Sequence, residues 1–208
     1  MNVAVLASGS GTNLQALLDS EKAGTLGAHI ALVISNRRGA GALERARQSD
    51  REALHLSPSQ FEAEADYTRE LVAVLRRRAI ELVCLAGYLK KLPAEMVGAF
   101  QGRVLNIHPA PLPRFGGEGM FGEHVHRAVL ASGVTHTGPT VHFVDAEYDT
   151  GPVVAHTRVP VLPGDTPEML AARVLQAEHE LYPRVVAAVA AGRIRLVAGK
   201  VVGTLDAD

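Results

Sequence analysis

Two side chains two residues apart, Asn106 and His108, are the pair in this sequence best suited to chemistry. They belong to the run Val104-Leu105-Asn106-Ile107-His108, which reads as a short strand and leads into prolines at 109, 111 and 113. Proline cannot donate to a sheet ladder, so strand pairing must stop near His108. Side chains alternate faces along a strand, so Asn106 and His108 project together from its end, where open α/β sheets keep their ligands. A donating amide beside a titratable imidazole can hold an oxyanion and pass a proton. Asp149, in the turn Tyr148-Asp149-Thr150-Gly151 between two extended runs, is the carboxylate that can return to the same sheet. Beside an imidazolium it raises the histidine pKa, so His108 is expected to be held protonated at neutral pH. Plainer readings stand alongside: a strand-end histidine bonded for structure, and an aspartate that only forms a turn.

A second signal is Ser8-Gly9-Ser10-Gly11-Thr12-Asn13, between a strand and a helix. Glycines allow a tight turn, and the helix that follows offers unpaired N–H groups and the positive end of its dipole, which suits a phosphate. The alternative is a βα turn with no ligand. A dinucleotide fingerprint fits poorly, because the third glycine is missing and Asn36 ends the second strand where an acidic ribose binder is wanted. The lysine of a P-loop is absent too, so a monophosphate is the expected ligand.

The other candidates are weaker. His124 and His126 form an H-x-H in a segment read as a loop entering a helix, but no third ligand is spaced nearby, so no metal is expected. His142 alternates with Val141 and Phe143 and either reaches the same cleft or is a satisfied core histidine. Cys84, the single cysteine, sits in Leu82-Val83-Cys84-Leu85 and reads as a buried core residue. Arg76-Arg77-Arg78 reads as the solvated end of a helix, whereas Lys90-Lys91 follow a strand end and can meet an anion.

Positioning these groups requires a particular order of elements. Residues 2–7, 31–35, 53–56, 82–86 and 103–107 read as buried strands; a helical pattern carried by Leu14, Leu17 and Leu18 follows the first, and residues 41–48, 59–78 and 94–100 read as further helices between them. That rhythm predicts an α/β fold with a doubly wound, mostly parallel sheet. After a glycine-rich loop over 114–123, a helix over 125–131 precedes antiparallel strands at 140–144 and 153–159. A long amphipathic helix over 166–191 and a small hairpin around Gly199 close the chain. Neither a repeat nor a low-complexity tract interrupts it, so one domain over 1–208 is expected.

Composition sets the outer limits. The 208 residues carry 21 Lys+Arg against 22 Asp+Glu, a formal net charge of −1. No overall field attracts nucleic acid or a membrane surface, and neither partner is expected. No stretch approaches the ~18 apolar residues of a membrane span, and no secretory leader is recognisable, so a cytoplasmic location is expected.

Taken together, Asn106-Ile107-His108-Pro109, Leu112-Pro113, Thr140-Val141-His142-Phe143-Val144 and Asp149-x-Gly151-Pro152 resemble the folate-dependent formyltransferases. Over nearly its full length the chain is similar to the branch that formylates glycinamide ribonucleotide in purine biosynthesis, through the Ser8–Gln15 motif, Ser35-Asn36, Leu43-Glu44-Arg45-Ala46, Leu85-Ala86-Gly87-Tyr88 and Glu178-His179-x-x-Tyr182-Pro183. The resemblance implies a Rossmann-like formyltransferase fold with a phosphate-binding N-terminal half and a folate-binding C-terminal half. It implies 10-formyltetrahydrofolate as co-substrate, glycinamide ribonucleotide as acceptor, no metal, and a monomer or homodimer. Asn106, His108 and Asp149 match the catalytic three. Gly11, Thr12 and Asn13 match the phosphate site and Glu178 the carboxylate that holds the ribose. Leu89, Lys90, Lys91 and Leu92, with Asn106, Val144, Asp145 and Ala146, match the folate site. Glu64 replaces an arginine expected for the folate tail, with Arg69 or Lys90-Lys91 as the compensating cations, and the 115–123 loop is longer than usual. Two relatives of different activity stand as alternatives: methionyl-tRNA formyltransferase, expected to carry a further C-terminal domain, and formyltetrahydrofolate hydrolase, expected to carry an N-terminal one. A non-catalytic sensor of phosphate ligands is the alternative of another class.

Overall fold

The computed structural model describes residues 1–205. Its centre is a seven-stranded sheet in the order β3-β2-β1-β4-β5-β7-β8. The parallel part comprises β1 (Asn2–Leu6), β2 (His29–Ser35), β3 (Glu52–His55), β4 (Leu82–Leu85) and β5 (Val104–His108). β7 (Thr140–Phe143) and β8 (Val153–His156) add to it antiparallel.

The near-continuous apolar runs of the parallel strands follow from burial on both faces. Val3 and Val5 enter one core with Leu14 and Leu17 of α1 (Thr12–Lys22), Leu43 of α2 (Gly41–Gln48) and Tyr182 and Val186 of α6 (Pro167–Ala190). Ala4 and Leu6 face the other way, into a core with Leu71 and Leu75 of α3 (Glu64–Arg77) and Met96 of α4 (Ala94–Ala99). A third core joins Val125 and Val129 of α5 (Glu123–Ala131) to Leu170 and Val174 of α6, with Phe115 of the glycine-rich loop.

Tyr182 anchors α6 under the strand ends, its hydroxyl lying 2.9 Å from the Leu85 carbonyl and 3.2 Å from that of Leu105. Cys84 is fully buried in the first core, and burial pushes its thiol up to about 12, so it stays protonated and inert.

The observed elements depart from expectation in three places. The helix expected over 59–78 is split: Ser57 caps a 3-10 turn at Pro58–Gln60, Phe61 and Ala63 are extended, and α3 starts only at Glu64. The 153–159 run breaks into β8 and the two-residue β9 (Val159–Pro160), which pairs with β6 (His136–Thr137). α5 opens at Glu123, two residues before the expected start, which brings His124 into the helix alongside His126. The C-terminal hairpin forms as β10 (Ile194–Val197) and β11 (Lys200–Gly203).

Candidate active site

The sheet order turns back between β1 and β4, which is where doubly wound folds open a crevice at the carboxyl ends of their strands. A cavity of about 900 Å³ lies there, lined from Ser10, Thr12 and Asn13 at one end to Leu92 and Val144 at the other.

Strand geometry sets the chemistry at its middle. Leu105 and Ile107 point into the first core, so Asn106 and His108 point to the opposite face, and both line the cavity. β7 pairs with β5 so that Asn106 lies opposite His142 and His108 opposite Thr140. The 144–152 loop then brings Asp149 back. Gly151 makes the return possible, since a Cβ there would lie 1.8 Å from the Phe143 carbonyl oxygen. Asp149 itself adopts φ 55°, a left-handed conformation that aspartate tolerates better than most residues.

The polar atoms interlock. His108 Nδ1 lies 3.6 Å from Asp149 Oδ2, ion-pair range but long for a hydrogen bond. Its Nε2 donates to the Phe115 carbonyl at 2.7 Å, and the Gly117 N–H donates to Asp149 Oδ2 at 3.0 Å. Asn106 Nδ2 lies 3.1 Å from His142 Nε2 and 3.4 Å from Asp149 Oδ1. The Phe143 carbonyl accepts from His142 Nδ1 at 3.0 Å, and His142 Nε2 also lies 3.5 Å from Asp149 Oδ1. The glycine-rich loop thus touches both members of the histidine–aspartate pair through its backbone. Burial raises the Asp149 pKa, but the His142 bond, the His108 charge and the Gly117 N–H outweigh it, so the carboxyl sits below its usual range.

His108 corrects the expectation of an imidazole held protonated. The ring is 4% exposed, and burial outweighs the upward pull of Asp149 and of the Phe115 carbonyl, leaving its pKa below the ordinary value. Both nitrogens nevertheless face acceptors, so the site is shaped for an imidazolium that its own burial disfavours.

The phosphate-loop residues are knitted to the sheet. Ser8 Oγ donates to Asn36 Oδ1 and accepts from the Leu89 N–H, tying the ends of β1, β2 and β4 together. Gly11 caps α1 at φ 77°, with the Ala42 Cα only 2.6 Å from where its Cβ would be. It does not line the cavity; Thr12 and Asn13 do. Asn13 Nδ2 donates at 2.5 Å to Glu178 Oε2, from α6. Burial pushes the Glu178 carboxyl up to about 7 despite that bond, so it holds its proton far more readily than an ordinary carboxylate. Asn13 Oδ1 is buried without a hydrogen-bond partner among the described residues.

At the other end the cavity is lined by Leu89, Lys90, Lys91 and Leu92 on one side and Val144, Asp145, Glu147 and Tyr148 on the other, without Ala146. Lys91 pairs with Glu147 at 3.0 Å, Asp145 serves the turn by accepting from Thr150 and Glu147, and Arg69 pairs with Asp66. Glu64 opens α3 outside the cavity lining. Among the described residues, no group of three or more His, Cys, Asp and Glu side chains is placed to hold a metal ion, and no helix is long and apolar enough to cross a membrane.

Sequence reasoning saw His142 but not its hold on Asn106, and it missed Phe115 and Gly117, which act through backbone atoms that residue type does not encode.

A family model described as formyl transferase matches residues 1–186. The chain is 44% identical over 194 residues to the chloroplastic phosphoribosylglycinamide formyltransferase of Arabidopsis thaliana, covering 93% of this chain and 66% of that protein. It is 40% identical over 196 residues to the phosphoribosylglycinamide formyltransferase of Escherichia coli (strain K12), covering 94% and 90%. Among solved structures, glycinamide ribonucleotide transformylase 1 from Symbiobacterium toebii superposes with a TM-score of 0.92 at 42% identity, over 98% of this chain and 94% of that one. The chain spans only 66% and 62% of the length of the two plant relatives it matches.

Proposed function

Since the chain belongs to the formyl transferase family, we propose that it transfers the formyl group of 10-formyltetrahydrofolate to the amine of glycinamide ribonucleotide, yielding the N-formyl product and tetrahydrofolate in purine biosynthesis. The observation that carries this reading is the convergence of Asn106, His108 and Asp149 on one wall of a cavity that runs between a helix N-terminus and an apolar cleft. At about 900 Å³ the cavity lies near the upper end of ligand pockets, room enough for two small molecules end to end.

Thr12 and Asn13, at the start of α1, hold the phosphate, and Glu178 bonds the ribose hydroxyls, donating or accepting according to its protonation. Gly11 supports this end by letting α1 approach α2. The cleft walls at Leu85, Leu92 and Val144 fit the flat pterin ring, with Leu89, Lys90, Lys91 and the 144–149 backbone, Asp145 and Ala146 included, around it. The folate supplies the formyl carbon. The two ends form one catalytic unit, N-terminal half for phosphate and C-terminal half for folate. Its partners are the two small molecules alone, its setting the cytoplasm.

The chain's own groups then act in order. Asn106 turns an N–H onto the formyl oxygen as negative charge builds there, giving up its longer bond, the 3.4 Å contact with Asp149. The same charge raises the proton affinity of His108, which takes a proton from solvent as the oxyanion builds and returns it as the oxyanion collapses, with Asp149 steadying the imidazolium in between. Asp149, an acceptor below its usual pKa, orders the water that moves a proton from the attacking nitrogen to the folate nitrogen.

The test follows absorbance on mixing the protein with 10-formyl folate and glycinamide ribonucleotide. Turnover is expected, and Asn106→Ala and His108→Ala should each lose on the order of 10²–10³ in kcat, about 3–4 kcal/mol, while still binding ribonucleotide. Tight ribonucleotide binding without any absorbance change in the unaltered protein would instead identify a phosphate-ligand sensor.

A further inference from the structure

His126 stands out as a buried imidazole that the chemistry above leaves unused. It lies on α5, is 5% exposed and lines the same cavity as His108. Neither ring nitrogen hydrogen-bonds to any described residue, and Nδ1 is sealed from solvent without a partner. A buried polar group left unpaired is costly, so one placed beside reacting groups calls for an explanation.

Its surroundings are specific. The neighbouring residues Val125 and Val129 pack on Leu170 and Val174 of α6 and on Val159 of β9, an apolar layer without charge. The ionisable groups lining the same cavity include Glu118 and Glu123 from the loop and start of α5, Glu168 and Glu178 from α6, His108 from β5, His142 from β7 and Asp149 from the 144–152 loop. None of them bonds to the ring. Burial and the nearby His108 both disfavour a proton on His126, so it rests as a neutral base.

We propose that His126 is a further catalytic residue, the acceptor of the proton that the substrate's ammonium group must shed before it attacks. This rests on the formyl-transfer reading. An α-amino group titrates near 8, so at pH 7 the acceptor arrives mostly as an ammonium ion. One N–H proton passes to His126, and the freed lone pair forms the C–N bond to the formyl carbon. A second proton leaves that nitrogen and ends on the folate nitrogen as its bond to the formyl carbon breaks. His126 then returns its proton to solvent, so that each turnover releases one net proton.

The pH profile of kcat/KM in the unaltered protein and in His126→Gln tests this, because glutamine keeps a hydrogen-bonding side chain but cannot take the proton. At pH 7 the variant should fall by about tenfold, because about a tenth of the amine is already free there, with KM for the ribonucleotide within about threefold, and the gap should close toward pH 9.5, where the amine is fully free. A loss that is uniform across pH, or smaller than threefold at pH 7, overturns the assignment. Independently of any variant, ribonucleotide binding at pH 7 should move the His126 ring signal in NMR toward its protonated position; an unmoved signal overturns it equally. An unaltered protein that does not turn over defeats the formyl-transfer reading itself, whereas turnover with a flat variant deficit retires His126 alone.

Discussion

At the scale of single residues, the site turns on how far His108 is from being protonated. Burial pulls its pKa down, and Asp149, 3.6 Å away, is the largest influence in the opposite direction. Asp149→Asn keeps the shape and removes the charge, so the His108 titration midpoint should fall further and kcat should drop with it, by on the order of 10²-fold or more if the proposed imidazolium is needed. NMR titration of the two proteins checks this; a midpoint that stays or rises would remove Asp149 from the electrostatics of the site. Asn106, His108 and Asp149 were legible from residue type and placement because a donating amide, an imidazole and a carboxylate at strand ends have few other uses together. The protonation of His108 was not legible, because its sign depends on a burial that no residue letter records.

At the scale of elements, glycines set how closely the pieces approach. Gly11 combines φ 77° with a Cβ position 2.6 Å from the Ala42 Cα, so neither side can give without moving the start of α1 or α2. Gly11→Ala should therefore destabilise the protein by about 2–4 kcal/mol, from the left-handed conformation and from overpacking. Urea denaturation should show a lower midpoint at unchanged slope, with weakened ribonucleotide binding because the first turn of α1 shifts. A midpoint within error of the parent protein would show that α1 and α2 are not held by this contact. The strand–helix rhythm was readable through β5 because strands buried on both faces are written as apolar runs. The start of α3 was not, since residues 59–63 have helical composition and only the local bonds of Ser57 and Gln60 divert them into a separate turn.

At the scale of the whole molecule, the bond from Asn13 to Glu178 joins α1 to α6 across 165 residues of sequence. Glu178 keeps its proton up to about 7 in the folded chain against an ordinary 4.5. Between those values the unfolded chain binds fewer protons than the folded one, so stability falls as pH rises through that window. The loss approaches roughly 3 kcal/mol above pH 7 and is absent below about pH 4. Glu178→Gln should remove this decline, leaving the variant relatively more stable at pH 8 than at pH 5 when each is compared with the parent. Thermal unfolding across pH 4.5–8 checks the sign, and parallel curves for the two proteins would contradict it.

The sequence alone determined the alternation of strands and helices, the break in pairing at His108, and the identity of the groups able to do chemistry, because these follow from periodicity, from proline's missing N–H and from side-chain functional groups. Tertiary structure decided the rest. It set the 3.6 Å approach of Asp149 to His108, the His142 contact that orients Asn106, and the backbone partners at Phe115 and Gly117. It also set the proton affinities of His108 and Glu178. Each of these depends on which distant segments shut water out of one place, and burial of that kind is a property of the assembled fold.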